Sequence, residues 1–365
     1  LKKIVFSALI SGMLFLNCFP AISVNAEDSD IFYEDFSGGV LDSAIWLTAY
    51  KNWGGTITEN GQTVDYNGGV IPENVNLHDG KLILTGYGNQ YTGDTKGINR
   101  NGIQRENGQR TGGAIATKEY FASGSYEISA KIAPELGCCS AMWTFEYEED
   151  YSDDNLIITN HEIDIEFPGR DEENQFSLQH VLCTNWTGEG DDEHQSVSVN
   201  TGINPIDGEF HTYRFDWHTG DQDQEKRVEY YIDNILIHTS YEHIPDKAGR
   251  FWLGLWFPKY WAGVPDFDTA QFEIDYVKIT PFHEAGDQPQ NESYPDHGWA
   301  QERVQGDVNA DGEFNTLDLI TLHRWLMHDG TSLSDWKAGN FLNDEIINIY
   351  DFCLMKRNLI AYSES

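Results

Sequence analysis

Positive charge is scarce in this sequence. Its 365 residues carry 23 Lys+Arg against 60 Asp+Glu, a formal net charge of −37. Nucleic acid and anionic membrane surfaces repel such a chain, which leaves neutral polymers and cations as partners. Cysteine is rarer still, with five in the chain and no CxxC or zinc-ligand spacing. Cys138 and Cys139 are adjacent, where a mutual disulfide is strained. A bridge from either to Cys183 is geometrically open, against the alternative of scattered buried thiols. Long apolar runs are missing beyond the N-terminus, so no segment is expected to cross a membrane. The one apolar stretch, Ile4 to Leu16, follows Lys2 and Lys3 and precedes Val24-Asn25-Ala26. That pattern predicts an export signal over residues 1–26 and a secreted, extracellular protein beginning at Glu27.

Helical periodicity is absent over most of the chain. Short alternating segments separated by Gly, Asn and Asp turns run from about residue 31 to 283. Examples are Lys81–Thr85, Gly124–Lys131, His211–Trp217 and Phe272–Ile279, and Tyr230–Ile237 reads as a hairpin with Asp233-Asn234 at its turn. Many strands over about 250 residues suit one large all-β sandwich, here assigned to residues 27–284. Residues 285–304 are polar, contain Pro289 and Pro295, lack periodicity and read as a linker. The period then changes. Leu319, Leu322 and Leu326 fall at helical spacing, as do Phe352, Met355 and Leu359. The two segments are copies, Asn315–Leu319 corresponding to Asn348–Phe352, so residues 305–361 form an internally duplicated α-helical unit.

The run Glu162-Ile163-Asp164-Ile165-Glu166 is the sharpest chemical signal. In a strand, Glu162, Asp164 and Glu166 share one face, while Ile163, Ile165 and Phe167 share the other. Three like charges on one face repel one another and need a reason. Residues i and i+4 of a strand lie roughly 13 Å apart at Cα. Two Glu side chains leaning together over the shorter Asp bring their carboxyls to about 5–6 Å, near the roughly 5–5.5 Å of a retaining glycosidase pair. The alternative is a solvated or cation-binding acidic face.

His161-Glu162-Ile163-Asp164-Ile165-Glu166-Phe167 resembles the active-site signature of glycoside hydrolase family 16. Phe32–Phe36, Asn67–Val70, Arg110–Gly112, Gly124–Glu127, Ser140–Trp143, Phe210–Tyr213 and Asp275–Val277 resemble further segments of that family. The resemblance implies a concanavalin-like β-jelly roll. It implies Glu162 as nucleophile, Asp164 as modulator and Glu166 as acid/base of a retaining endo-β-glycanase, needing no catalytic cofactor. It places Trp143 and Trp256 at sugar-stacking positions and Arg110 and His180 at sugar hydroxyls. It also implies a calcium ion on the sandwich near Asp35 and Asp275. The unbulged spacing resembles the lichenase and xyloglucan branch. Lichenases, however, carry a Glu near Gly113 and Asn residues at the places of Ser177 and Gly254. The expected substrate is a β-1,3-1,4- or β-1,3-glucan. Alternatives are an endo-β-galactosidase, a xyloglucan hydrolase or transglycosylase, and a non-catalytic carbohydrate-binding protein.

In the C-terminal unit, Asp307, Asn309, Asp311, Asn315 and Asp318 supply oxygens at positions 1, 3, 5, 9 and 12 of a calcium loop, with Gly312 at position 6. The second copy keeps Asn340, Asp344, Asn348 and Asp351 but has Leu342 at position 3 and Glu345 in place of the glycine. With the duplication, this resembles a type I dockerin. The resemblance implies Ca2+ in the loops and a cohesin module of a cellulosomal scaffoldin as partner, contacted through Thr316, Leu317, Ile349 and Tyr350. The expected state is a monomer on a cell-surface cellulosome.

Overall fold

The computed structural model describes residues 30–51, 56–59, 62–65, 69–88, 110–150, 157–168, 177–188, 192–258, 262–263, 265–290, 299–300, 304–309, 311, 313–342 and 346–363. Two antiparallel sheets face each other. The back sheet runs β15 (Ile235–Ser240), β14 (Arg227–Ile232), β13 (His211–His218), β8 (Gly124–Lys131), β17 (Thr269–Pro281), β6 (Lys81–Tyr87) and β5 (Val75–His78), with β1 (Phe32–Glu34) also paired to β17. The front sheet runs β12 (His194–Asn200), β11 (His180–Trp186), β10 (Ile157–Phe167), β9 (Cys139–Asp150), β16 (Gly249–Trp256), β7 (Gly113–Phe121) and β2 (Trp46–Thr48). A separate hairpin pairs β3 (Thr56–Glu59) with β4 (Gln62–Asp65). This is the all-β sandwich expected from the alternating segments.

The core lies between the sheets. Leu82, Leu84, Tyr126, Ile128, Phe215 and Trp217 fill it from the back, and Ile115, Phe251 and Leu253 from the front. Ile163, Ile165 and Phe167 of β10 point into the same core. Each such burial contributes roughly 1.5–3 kcal/mol, which offsets the repulsion among the carboxylates on the opposite face of the strand. β10 pairs with β9 from Ile157 to Phe167 and with β11 from Glu162 to Glu166 without a register shift, so it is the regular strand the spacing predicts. The β14–β15 turn has Asp233 at φ 49° and Asn234 at φ 62°. Both are left-handed, as a two-residue hairpin turn requires.

Cys138, Cys139, Cys183 and Cys353 are all free thiols. Cys138 and Cys183 face the inter-sheet core, whereas Cys139 joins the apolar cluster on the outer face of the front sheet. The chain reverses side between neighbours, so the adjacent pair is split across the sheet.

The segment read as a linker is in part docked on the sandwich. Asp287 accepts from the Ser123 and Thr219 hydroxyls at 2.9 and 2.6 Å, and Gln288 exchanges backbone hydrogen bonds with Asp246 and Ala248. Trp299 bridges Ala49 beside β2, Ala300 N–H donates to the Thr48 carbonyl at 2.8 Å, and the Trp299 ring stacks on Trp252 at 4.8 Å. Polar composition hid these contacts because the backbone makes most of them.

The C-terminal unit holds two helices, α1 (Thr316–Leu326) and α2 (Ile349–Ser363), around Val308, Leu322 and Met355. Its duplication is geometric as well as sequential. Asp318 accepts from Asn309 N–H and Asn315 N–H, one to each carboxylate oxygen, and Asp351 accepts in the same way from Leu342 N–H and Asn348 N–H. Asn315 caps α1 through Leu317 N–H, and Asn348 caps α2 through Tyr350 N–H. Among the described residues, no helix is long and apolar enough to cross a membrane.

Candidate active site

Strand alternation puts Glu162, Asp164 and Glu166 on the outer face of the front sheet, with the isoleucines between them anchored in the core. Pairing register supplies their neighbours. Glu162 stands between Trp186 on β11 and Phe145 on β9; Asp164 between Thr184 and Trp143; Glu166 between Leu182 and Ala141. Farther out on β16, Arg250, Trp252 and Gly254 continue these three rows.

The three carboxyls have different surroundings. Asn160, two residues back on the same face, donates its side-chain N–H to Glu162 Oε2 at 2.7 Å. Asp164 is 4% exposed. Burial, and then the charges of Glu162 and Glu166, push its carboxyl well above the usual range. It shares a hydrogen bond with Glu162 that favours the protonated acid and accepts one from Trp186 that opposes it. Glu166 is pushed up to about 8, by burial first and by the charge of Glu162 second. Cys139 Sγ lies 3.9 Å from its Oε1. Both shifts favour the acid forms of Asp164 and Glu166 beside Glu162. A protonated acid and a hydrogen-bonded carboxylate on one rigid strand are the groups needed to protonate a leaving oxygen and attack a neighbouring carbon.

The remaining sequence candidates separate. Trp143 is on the outer face beside Asp164, but it is only 7% exposed. Its ring stacks on Trp252 at 5.4 Å and extends over Gly254, where a Cβ would sit 2.8 Å from the ring. Gly254 is therefore the space the indole occupies, and a side chain there is excluded by packing. Trp256 is half-buried on the same face, opposite Cys139. His180 is half-buried at the start of β11 and pairs with Asn200, with Nδ1 buried. Arg110 is half-buried just before the Thr111–Tyr87 bridge. At Gly113 a Cβ would meet the Asn74 carbonyl at 2.7 Å, so that position takes no side chain without a backbone shift.

Asn160 and Trp186 were missed in the sequence. Asn160 was within reach of the same period-2 rule that joins Glu162 to Glu166. Trp186 was not, because its placement depends on the β10–β11 register, and its ring is held by His194 stacked at 4.0 Å.

Asp35 is exposed and accepts from Ser37 N–H, while Asp275 lies 3.7 Å from the Lys81 ammonium. Among the described residues no group of three or more His, Cys, Asp or Glu could hold a metal ion. In the first C-terminal loop, Asp307 and Asp318 are buried at 5% and 0% exposure. Burial pushes Asp318 up, the N–H bonds from Asn315 and Asn309 oppose this, and the charges of Asp307 and Asp311 add to it. These residue types are the oxygen ligands a hard cation takes, but their carboxylates are not drawn together into such a group here, and both Asp318 oxygens accept backbone N–H bonds. In the second loop Leu342 is exposed, Asn340 and Asp351 flank it, and Asp344 falls outside the described residues.

Known proteins resemble this chain over most of its length. Beta-glucanase of Acetivibrio thermocellus is 28% identical over 349 residues, covering 90% of this chain and 88% of its own. The uncovered tenth is shorter than the C-terminal helical unit, so the similarity runs into it. Beta-glucanase of Paenibacillus polymyxa is 28% identical over 284 residues, 76% of this chain and 98% of its own. A prokaryotic β-1,3-1,4-glucanase (lichenase) structure derived from a mouse hindgut metagenome has a TM-score of 0.50 at 22% identity. It covers 69% of this chain and 99% of that one, and shares the sandwich fold. Residues 79–278, more than half of the sequence and including the whole carboxylate strand, match Glycosyl hydrolases family 16, and the chain belongs to that family.

Proposed function

We propose that this protein is a secreted endo-β-glucanase that cleaves internal β-1,3-1,4- or β-1,3-linkages by a retaining double displacement. Glu162 attacks the anomeric carbon while Glu166 gives its proton to the departing glycosidic oxygen. Glu166, now a carboxylate, takes a proton from water as that water displaces Glu162. Asn160 donates to Glu162, and Asp164, whose burial favours its acid form, shares a hydrogen bond with it, holding the nucleophile in place and limiting its charge between steps. The observation that carries this reading is the division of one strand face into a hydrogen-bonded carboxylate and an acid held protonated to about pH 8. The β-glucanase names of the relatives support the substrate class.

The C-terminal unit is read as a dockerin that tethers the enzyme to a cohesin of a cellulosome. Leu317, Ile349 and Tyr350 are 57, 56 and 69% exposed at the starts of the two helices, which supports a partner surface there. Asp307, Asn309, Asp311, Asn315 and Asp318 would hold one Ca2+; Asn340, Asn348, Asp351 and Asp344 are the second set. The ion would organise the loops and takes no part in hydrolysis.

Reducing-end release on lichenan, laminarin, xyloglucan and galactans tests the substrate, with proton NMR of the first product anomer testing stereochemistry. Release from lichenan or laminarin with β-anomer first, abolished in Glu162→Gln, is expected. Release confined to galactan or xyloglucan would move the substrate; α-anomer first would sink the retaining mechanism. Undiminished function in Glu162→Gln would indicate a binding protein.

A further inference from the structure

We propose that Cys139 is a positioning residue for Glu166, its S–H holding one carboxyl oxygen so that the other carries the transferable proton. The proposal rests on the reading of Glu166 as acid/base. Cys139 opens β9, two residues before Ala141, the direct partner of Glu166, and so lies on the same face. Its sulfur is fully buried and sits 3.9 Å from Glu166 Oε1. It also receives the Phe167 N–H, and its one S–H has a second acceptor in the Ser140 carbonyl oxygen at 3.8 Å, from which it turns to reach Glu166. The sulfur is thus fixed by the strand carrying Glu166 as well as by its own.

No other hydrogen bond reaches the Glu166 carboxyl among the described residues. The contrast with Glu162 is chemical. Asn160 is a strong donor, and strong donors stabilise a carboxylate. An acid that must keep its proton needs restraint without that stabilisation. A thiol is a weak donor, so it orients Oε1 while lowering the acidity barrier little. Burial and the Glu166 charge push the Cys139 thiol well above its ordinary range, so it stays protonated wherever Glu166 titrates. The charged and titratable groups facing Glu166 are Glu162 and Asp164 on its own strand and Cys139 on β9. Its neighbours Leu182 on β11 and Ala141 on β9, with Gly254 beyond on β16, carry none.

Serine and alanine at 139 in the full-length protein separate orientation from packing. Ser keeps the size and donates more strongly. The basic limb of the kcat/KM pH profile is expected to fall by about one pH unit in Cys139→Ser, a tenfold change in the proton equilibrium. In Cys139→Ala the limb should rise and kcat should fall several-fold with KM unchanged. A second readout is the Glu166 carboxyl itself, followed by isotope-edited infrared titration and assigned with Glu166→Gln. Its midpoint should order Ser below Cys below Ala. Wild-type carboxyl titration in a folded Cys139→Ser overturns the proposal. A shifted carboxyl titration with an unmoved activity limb supports the positioning and removes Glu166 from the acid/base role. Should Cys139→Ala fail to fold, the Ser variant alone decides, through the direction of both shifts.

Discussion

A carboxyl kept neutral by its surroundings makes stability depend on pH. The folded chain binds the Glu166 proton to about pH 8, whereas an ordinary glutamate loses it near 4.5. The folded state therefore has its full advantage from this proton below about pH 4.5 and loses it as pH rises through 8. Glu166→Gln removes the ionisation. The variant should match the wild type near pH 4 and be more stable at pH 8 by on the order of 2–3 kcal/mol, discounted from about 1.4 kcal/mol per pH unit for partial exposure. Chemical denaturation at the two pH values measures the difference, and an equal gain at both would count against the buried-acid account. Asn160 makes a separate prediction. Its N–H bond to Glu162 is charge-assisted, and losing such a bond costs about 1.5–3 kcal/mol, so Asn160→Ala should lower kcat/KM on β-glucan roughly 10- to 100-fold. At this scale the carboxylate trio was legible because strand alternation needs no tertiary information. The modest exposure of Trp143 was not, because Gly254 and Trp252 reach it from a strand more than a hundred residues away.

Elements differ in how much of their stability is local. The sandwich strands are held by the inter-sheet core, but among the described residues the C-terminal unit of two helices has just Val308, Leu322, Ala338 and Met355 as fully buried apolar residues. Two buried aspartates, Asp318 and Asp351, organise the loops that join them. A cation that neutralises the first set should then raise the stability of this unit selectively. Calcium at about a hundred times its dissociation constant adds roughly 2.7 kcal/mol, so calorimetry should show one transition moving up with calcium and down with chelator while the sandwich transition stays. Movement of both together would show that the two units unfold as one. The docked segment before the helices carries its own test. Trp299 stacks on Trp252, and the Lys51 ammonium lies 4.8 and 4.4 Å from the two ring centroids. Trp299→Ala should destabilise the sandwich by about 1–3 kcal/mol and red-shift tryptophan emission as Trp252 gains solvent. Strands and helices were readable from period and duplication; this docking was not, since Trp299 and Tyr294 are isolated aromatics in a polar stretch without periodicity.

Charge acts over the whole molecule. A formal net charge of −37 leaves an excess of carboxylates far larger than the ion pairs of the surface can cancel. The outer-face chemistry is itself acidic, and Glu162 must keep a negative charge beside Asp164 and Glu166, whose acid forms are favoured. A carboxylated polysaccharide therefore meets repulsion at long range and again at the site, whereas a neutral glucan meets neither. The Debye length shrinks from about 30 Å at 0.01 M salt to about 10 Å at 0.1 M, so the long-range part is adjustable without touching the protein. On a neutral β-glucan, kcat/KM should be nearly flat across this range. On the same glucan lightly carboxymethylated it should be low at 0.01 M and climb several-fold by 0.1 M, mostly through KM. Composition alone foretold this preference, because net charge is a sum over residues and needs no fold. What it did not foretell is the part that salt leaves behind. Glu162, Asp164 and Glu166 are buried or half-buried among apolar neighbours and are poorly screened, so the carboxymethylated polymer should remain the slower substrate at 0.1 M. Equal rates on both polymers at that salt would mean that only the distant surface charge discriminates.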